Sequence, residues 1–290
     1  MRVFITGATG FIGSALTADL IAAGHQVLGL TRSDAGAEAL VAAGAEPWRG
    51  SLGDLDGLKR GAAQADGVVH LAFNHDFSTY MANCEDDRRV IAALGSALAG
   101  SNRPLLVTSG TGMAATGRPA AEDDPPASSS EVPRAASEEA ARALAADGVN
   151  AGVVRLPQVH DTTHAGLLTF AVMVAQEKGV SAYIGDGENR WAAAHVLDTA
   201  RLYRLALERA QPGATWHAVG EEGVSMRDIA EAIGRRLSLP VTSIAPEEAG
   251  AHFGFLGMFA GRDGAATSTL TRQRLGWTPT GPTLLADLEG

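Results

Sequence analysis

Met1-Arg2-Val3-Phe4-Ile5-Thr6-Gly7-Ala8-Thr9-Gly10-Phe11-Ile12-Gly13 opens the chain. An apolar run, Val3 to Ile5, breaks into Gly7, Gly10 and Gly13. A helical pattern follows at once, with Ile12, Leu16 and Leu20 on one face and Gly24 as its stop. The stretch therefore reads as a strand (Arg2–Thr6), a tight glycine turn and a helix N-terminus (Phe11–Ala23). In such a unit the glycines serve the tight turn, the close approach of backbone to phosphate, and close helix–strand packing. The unpaired amides at the positive end of the helix dipole then face an anion. The residues point to NAD or NADP, held at Gly7, Thr9, Gly10, Phe11, Ile12 and Gly13.

Composition narrows the class. The 290 residues are 46% hydrophobic and 19% charged, as expected for a globular chain able to bury a large core. A net charge of −10, from 33 acidic against 23 basic residues, disfavours nucleic acid and anionic membranes as partners. No apolar run approaches the ~20 residues of a membrane helix. The first strand begins at Arg2, so no signal peptide is expected. Cys84 is the single cysteine, which excludes an internal disulfide. A cytoplasmic setting is the expectation.

Strand and helix patterns then alternate. Gln26–Leu30, Gly67–Leu71, Pro104–Ser109 and Gly152–Leu156 read as strands; Ala35–Ala43, Asp86–Ala99 and Ser137–Ala146 read as helices. Near-continuous apolar strands between helices predict a doubly wound parallel sheet, an α/β fold of Rossmann type, covered on both faces. Residues 116–134 form a polar, proline-rich loop of a length usually functional or mobile. Beyond Pro157 the chain reads as helix Leu167–Lys178, a Gly-rich hairpin-like stretch Ser181–Trp191 and helix Val196–Ala210. Strand Trp216–Val219 follows, then helix Ser225–Leu237, with Ser225 and Asp228 as a cap pair. Residues 1–155 are expected to form the dinucleotide-binding domain. Residues 156–290 are expected to form mainly a small substrate lobe, with some elements returning to the main sheet.

Several segments, in order, carry a family resemblance: Gly7-x-x-Gly10-x-x-Gly13, Val68-Val69-His70-Leu71-Ala72, Leu106-Val107-Thr108-Ser109, Val154-Arg155-Leu156-Pro157, Ala194-His195-Val196-Leu197-Asp198-Thr199-Ala200 and Leu275-Gly276-Trp277-Thr278-Pro279. The chain resembles the extended short-chain dehydrogenase/reductase superfamily, of epimerase/dehydratase type. The resemblance implies cofactor contacts at Ser51, Leu52, Leu71, Ala72, Phe73, Thr108, Ser109, Leu156, Pro157 and Val159. It also implies a dimer through the helices before the fifth and sixth strands. At the end of strand two an acidic residue would bind the ribose 2′-hydroxyl of NAD. Here stand Thr31, Arg32 and Ser33. Arg32 suits a 2′-phosphate and Ser33 adds a hydrogen bond, which favours NADP over NAD. The alternative is a surface arginine with Asp34 turned in to the ribose.

At the chemistry end the resemblance breaks. The superfamily reacts through Tyr-x-x-x-Lys, in which lysine lowers the tyrosine pKa and the tyrosine moves a proton as hydride moves. Residues 110–150 contain neither tyrosine nor lysine. Ser130 and Arg134 fall where Tyr and Lys belong, so this resembles an atypical member. Arg134 is a candidate ribose holder, and Thr111, Tyr80, Tyr183 or water are candidate proton donors; Thr111 stands nearest the family's third catalytic hydroxyl. His75 follows strand four, where open α/β sheets bind ligands, and is a substrate candidate. Tyr183, Arg190 and Trp191 are further substrate candidates. His160 and His164 stand four apart, but no third ligand lies in register, so no metal is expected. The favoured reading is an NADP-dependent oxidoreductase for a small carbonyl or hydroxyl substrate. A non-catalytic NADP-binding sensor or regulator and a sugar-nucleotide epimerase or dehydratase are the alternatives.

Overall fold

The computed structural model describes residues 1–113 and 117–290, so Thr116, where the proline-rich loop begins, lies outside the described residues. Its strands are β1 (Arg2–Thr6), β2 (Gln26–Thr31), β3 (Glu46–Arg49), β4 (Gly67–His70), β5 (Leu105–Gly110), β6 (Ala151–Leu156), β7 (Gln158–His160), β8 (Ser181–Ile184), β9 (Arg190–His195), β10 (Thr215–His217), β11 (Glu221–Ser225) and β12 (Val241–Ile244). The main helices are α1 (Phe11–Ala22), α2 (Asp34–Ala42), α3 (Leu55–Ala63), α4 (Tyr80–Leu98), α5 (Ala136–Ala146), α6 (Leu168–Lys178), α7 (Val196–Arg209) and α8 (Met226–Leu237). A seven-stranded sheet in the order β10-β6-β5-β4-β1-β2-β3 carries the fold, and each neighbouring pair is parallel.

Alternation along β1 explains the two layers. Val3 and Ile5 face one core, shared with Leu16 and Leu20 of α1 and Leu202 and Tyr203 of α7. Phe4 faces the other, with Leu58 of α3, Ile91 and Leu94 of α4 and Ala141 of α5. Successive strand side chains point to opposite faces, and here both faces are covered, which is why the strands read as continuous apolar runs. Strand β3 is the exception: Glu46-Pro47-Trp48-Arg49 has no apolar run, and its proline is tolerated because β3 is an edge strand.

The chain beyond β6 does two things. Strand β10 pairs with β6 at the other edge of the main sheet. Trp277, near the C-terminus, is buried in the α1–α7 core, and its indole nitrogen donates to the Asp198 carbonyl at 3.0 Å. The remainder forms a small lobe around two short sheets, β11-β9-β7 and β12-β8. The hairpin expected over Ser181–Trp191 does not form. Strand β8 pairs in parallel with β12, and β9 pairs with β11 and β7. The turn at Gly185 and Gly187, both with positive φ, separates strands that find partners elsewhere. Helix α8 starts as expected, with Ser225 accepting from the Asp228 amide.

The segment 117–132 is held from below at Ala121 and Asp124. The Arg155 guanidinium, fully buried in β6, donates to the carbonyls of Asp124 (2.8 Å) and Ala121 (3.4 Å). Glu138 of α5, equally buried, accepts two bonds from Arg155 at 2.7 and 3.0 Å. Desolvation pushes the Glu138 carboxyl up, but Arg155 and Arg142 outweigh it and hold it below the usual value. Removing one member of such a pair strands a buried charge. Glu138→Ala is therefore expected to cost about 3–5 kcal/mol, read in urea unfolding as a lower midpoint at unchanged slope.

Candidate functional site

The carboxyl ends of β1, β2, β4, β5 and β6 open into a cleft of about 1050 Å³. Its floor is the glycine turn, with Gly7, Thr9, Gly10, Phe11, Ile12 and Gly13 all on its wall. Gly7 has φ +74°, and a Cβ there would lie 2.9 Å from the Ala72 nitrogen. A Cβ at Gly13 would sit 1.9 Å from the Gly7 carbonyl oxygen, an impossible approach. Gly10 gives α1 no side-chain cap, and no acidic residue occupies the first turn. The first-turn amides, which a helix cannot pair internally, are left to the cleft. This arrangement fits a dinucleotide diphosphate.

At one end of the cleft stand Arg32, Ser51 and Leu52; at the other, Leu71, Ala72, Phe73, His75, Thr108 and Leu156. Ser33 is not on the cleft lining; its hydroxyl caps α2, accepting from the Gly36 amide at 3.1 Å. Asp34 pairs with Arg49 at 2.8 Å. Ser109 is buried in β5 with an unpartnered hydroxyl oxygen, and Val159 is buried in β7. Pro157 is half-buried between β6 and β7.

A buried polar chain runs from the glycine turn to the far end. Thr6 Oγ1 bonds His70 Nδ1 at 2.7 Å, and His70 Nε2 donates to Asp87 Oδ1 at 2.9 Å. Asp87 Oδ2 accepts from Arg134 Nη1 at 3.1 Å and from the Ser137 hydroxyl. Arg134 Nη2 donates to the Thr108 carbonyl at 3.2 Å, and its guanidinium lies 4.2 Å over the Phe73 ring. Burial alone would raise the Asp87 pKa; His70, Arg134 and Ser137 outweigh it and hold the carboxyl below its usual value. The Thr108 hydroxyl is occupied too, donating to the His70 carbonyl and paired with Tyr203, each at 2.7 Å.

The other candidates are scattered. Ser130 is exposed, bonded to Ser128 at 2.8 Å, and does not line the cleft. Thr111 is buried and donates to the Leu156 carbonyl at 3.4 Å. Tyr80 is half-buried at the start of α4, its ring 6.3 Å from Phe73, with burial pushing its phenol up. Tyr183, Arg190 and Trp191 belong to the small lobe and do not line this cleft. Tyr183 lies under Arg227, Arg190 pairs with Asp263 at 3.1 Å, and the buried Trp191 indole donates to the Arg262 carbonyl. His160 is buried against Asp287 at 2.7 Å, while His164 stacks on Phe11 at 4.7 Å. The two rings diverge, and among the described residues no cluster of His, Cys, Asp or Glu could hold a metal.

Sequence reasoning missed Asn83 and Asp87. A signal was there: they stand four apart on the buried stripe of α4, with Val90, Ile91 and Leu94. A polar residue on such a stripe needs a buried partner.

Comparison with known proteins was consistent with this geometry. Residues 3–219 match the model of the NAD dependent epimerase/dehydratase family. The chain is 47% identical to uncharacterized protein C2A9.02 of Schizosaccharomyces pombe, over 99% of this chain and 98% of that protein. It is 28% identical to the UDP-glucose 4-epimerase of Streptomyces lividans, over 96% and 91%. The solved structure of DesIV, the dTDP-glucose 4,6-dehydratase of Streptomyces venezuelae, superposes with a TM-score of 0.77 at 20% identity, covering 100% of this chain and 95% of that one. That last likeness bears on the fold alone.

Asp87 should also set the acid limit. A carboxyl with a depressed folded pKa contributes stability above its unfolded value and loses it as pH falls through the folded one. Asp87→Asn should be less stable than wild type at pH 7, and the gap should narrow below about pH 4, as followed by thermal melts across pH.

Proposed function

The chain belongs to the NAD dependent epimerase/dehydratase family, and on that premise we propose that it binds NADP and oxidises or reduces a small carbonyl or hydroxyl compound. One observation carries the cofactor choice: Arg32 lines the cleft at the end of β2, while Asp34, its acidic neighbour, pairs with Arg49. A guanidinium suits a 2′-phosphate; an acidic residue would suit the free ribose hydroxyl. When bound, the nicotinamide supplies or accepts the hydride.

The residues of the chain then divide the work. The glycine turn and the α1 amides hold the diphosphate. Ser51 and Leu52 bound the adenosine end. Phe73, backed by the Arg134 guanidinium, and Leu156 wall the reacting end. Arg134 takes the place of the family's lysine, as a cation already paired with Asp87 and fixed to the Thr108 carbonyl. A small substrate is favoured because Arg190 and Trp191, which could grip a nucleotide sugar, are engaged within the lobe.

The pairing of Arg134 with Asp87 also favours a second reading, an NADP-binding sensor without turnover. A neutralised cation does little to activate a hydroxyl. Fluorescence titration with NADPH and NADH, followed by loss of NADPH absorbance over a panel of carbonyls, separates the two. Turnover supports the oxidoreductase; tight NADPH binding with silence across the panel supports the sensor. Arg32→Ala should weaken NADPH by about 10–100-fold, the ~1.5–3 kcal/mol of a charge-assisted bond, and leave NADH nearly unchanged. Equal weakening of both would remove the 2′-phosphate argument.

A further inference from the structure

The segment between β4 and α4 is held more tightly than a connecting loop requires. Asn83, buried on α4, donates through Nδ2 to two backbone carbonyls, Asp76 at 2.8 Å and Asn74 at 3.2 Å. Its Oδ1 accepts from the Asn74 side chain at 3.1 Å and from the Thr79 hydroxyl at 3.3 Å. Asn74 Oδ1 in turn accepts from the Asp76 amide at 3.1 Å, and Asp76 Oδ1 from the Ser78 amide at 3.0 Å. The residue bracketed by these bonds is His75. It lines the cleft, edge-on to Phe73 with ring centroids 5.3 Å apart, and Phe73 is the ring that carries Arg134.

We infer that His75 is the acid–base group of this cleft and that buried Asn83 is its positioning residue. The inference rests on the oxidoreductase reading above. The rival donors are otherwise placed. The Thr111 hydroxyl bonds the Leu156 carbonyl, Ser130 and Tyr183 are off the cleft, and burial raises the Tyr80 phenol. Partial burial and then the Arg134 charge lower the His75 pKa below 6.5, against a bond to the Phe73 carbonyl. Among the described residues, other titratable groups along this wall are Asp76 beside it and Tyr80, Cys84, Asp86, Asp87 and Arg89 on α4. Neutral imidazole is then the main form at pH 7 and accepts the proton of an alcohol as its carbon loses hydride to the oxidised nucleotide. In reduction the carbonyl carbon gains the hydride pair from the reduced nucleotide. The imidazolium N–H breaks as the product O–H forms, and solvent at the exposed ring restores the proton. Carbonyl reduction should accelerate as pH falls toward the imidazole pKa, and alcohol oxidation should slow.

The test uses the full chain. His75→Gln should keep NADPH affinity and lose about 100-fold or more in turnover together with the pH limb. His75→Ala should be partly rescued by free imidazole. By NMR, His75 should titrate below 6.5 and respond to added NADP, and in Asn83→Ala, checked for folding by its melt, it should return toward the ordinary histidine value. Turnover and pH profile unchanged in His75→Gln would overturn the role, as would loss of the limb in Tyr80→Phe instead. A His75 titration unmoved in Asn83→Ala would overturn the positioning. A wild type silent with every carbonyl removes the oxidoreductase reading and this role together; an active wild type indifferent to His75 removes this role alone.

Discussion

Helix α1 sits so close to the end of β1 that a single methyl group at Gly13 would occupy the Gly7 carbonyl. That contact fixes where the helix begins and where its free amides point. It also sets Thr6, the last residue of β1, directly against His70 of β4, from which the hydrogen-bonded chain passes to Asp87 and Arg134. The floor of the cleft and one of its ends are thereby tied together across β1, β4 and α4. The glycine turn and the fixed guanidinium are joined through buried polar groups, each of which answers the desolvation of the next.

How much of this could be read from residues alone depended on whether the cause was local. The glycine turn was legible because its chemistry lies within thirteen consecutive residues. The strands from β4 to β6 were legible because burial on both faces leaves an uninterrupted apolar run. Strand β3 was not, since an edge position tolerates Pro47 and charged neighbours. The separation of β8 from β9 was invisible because strand pairing is a choice among distant partners. Ser33 illustrates the same point at the site: its residue type suits a phosphate contact or a helix cap, and the structure shows the cap, to an amide three residues away. Ser130 shows the risk of counting from a motif, since spacing put it in line with a catalytic tyrosine and the fold leaves it exposed and off the cleft.

On the reading proposed above, the protein keeps the cofactor half of its family's architecture and sets Arg134 in place of the lysine. A lysine acting on a nearby tyrosine works because its charge is unopposed. Arg134 is planar, bonded on two sides and neutralised by a buried carboxylate, so it acts as a plate behind Phe73 more than as an activator. On that proposed reading, the chemistry comes from the segment that follows β4, which carries both Phe73 and His75. From α4, Asn83 anchors that segment and Asp87 anchors Arg134.

Arg155 holds the segment 117–132 through main-chain carbonyls, not through its side chains. Such an anchor does not discriminate among the residues it holds. Ala121, held through its main chain, can therefore drift in evolution without unseating the loop, while Arg155 and Glu138 cannot. Variation among relatives should concentrate on the tethered surface and spare the tether.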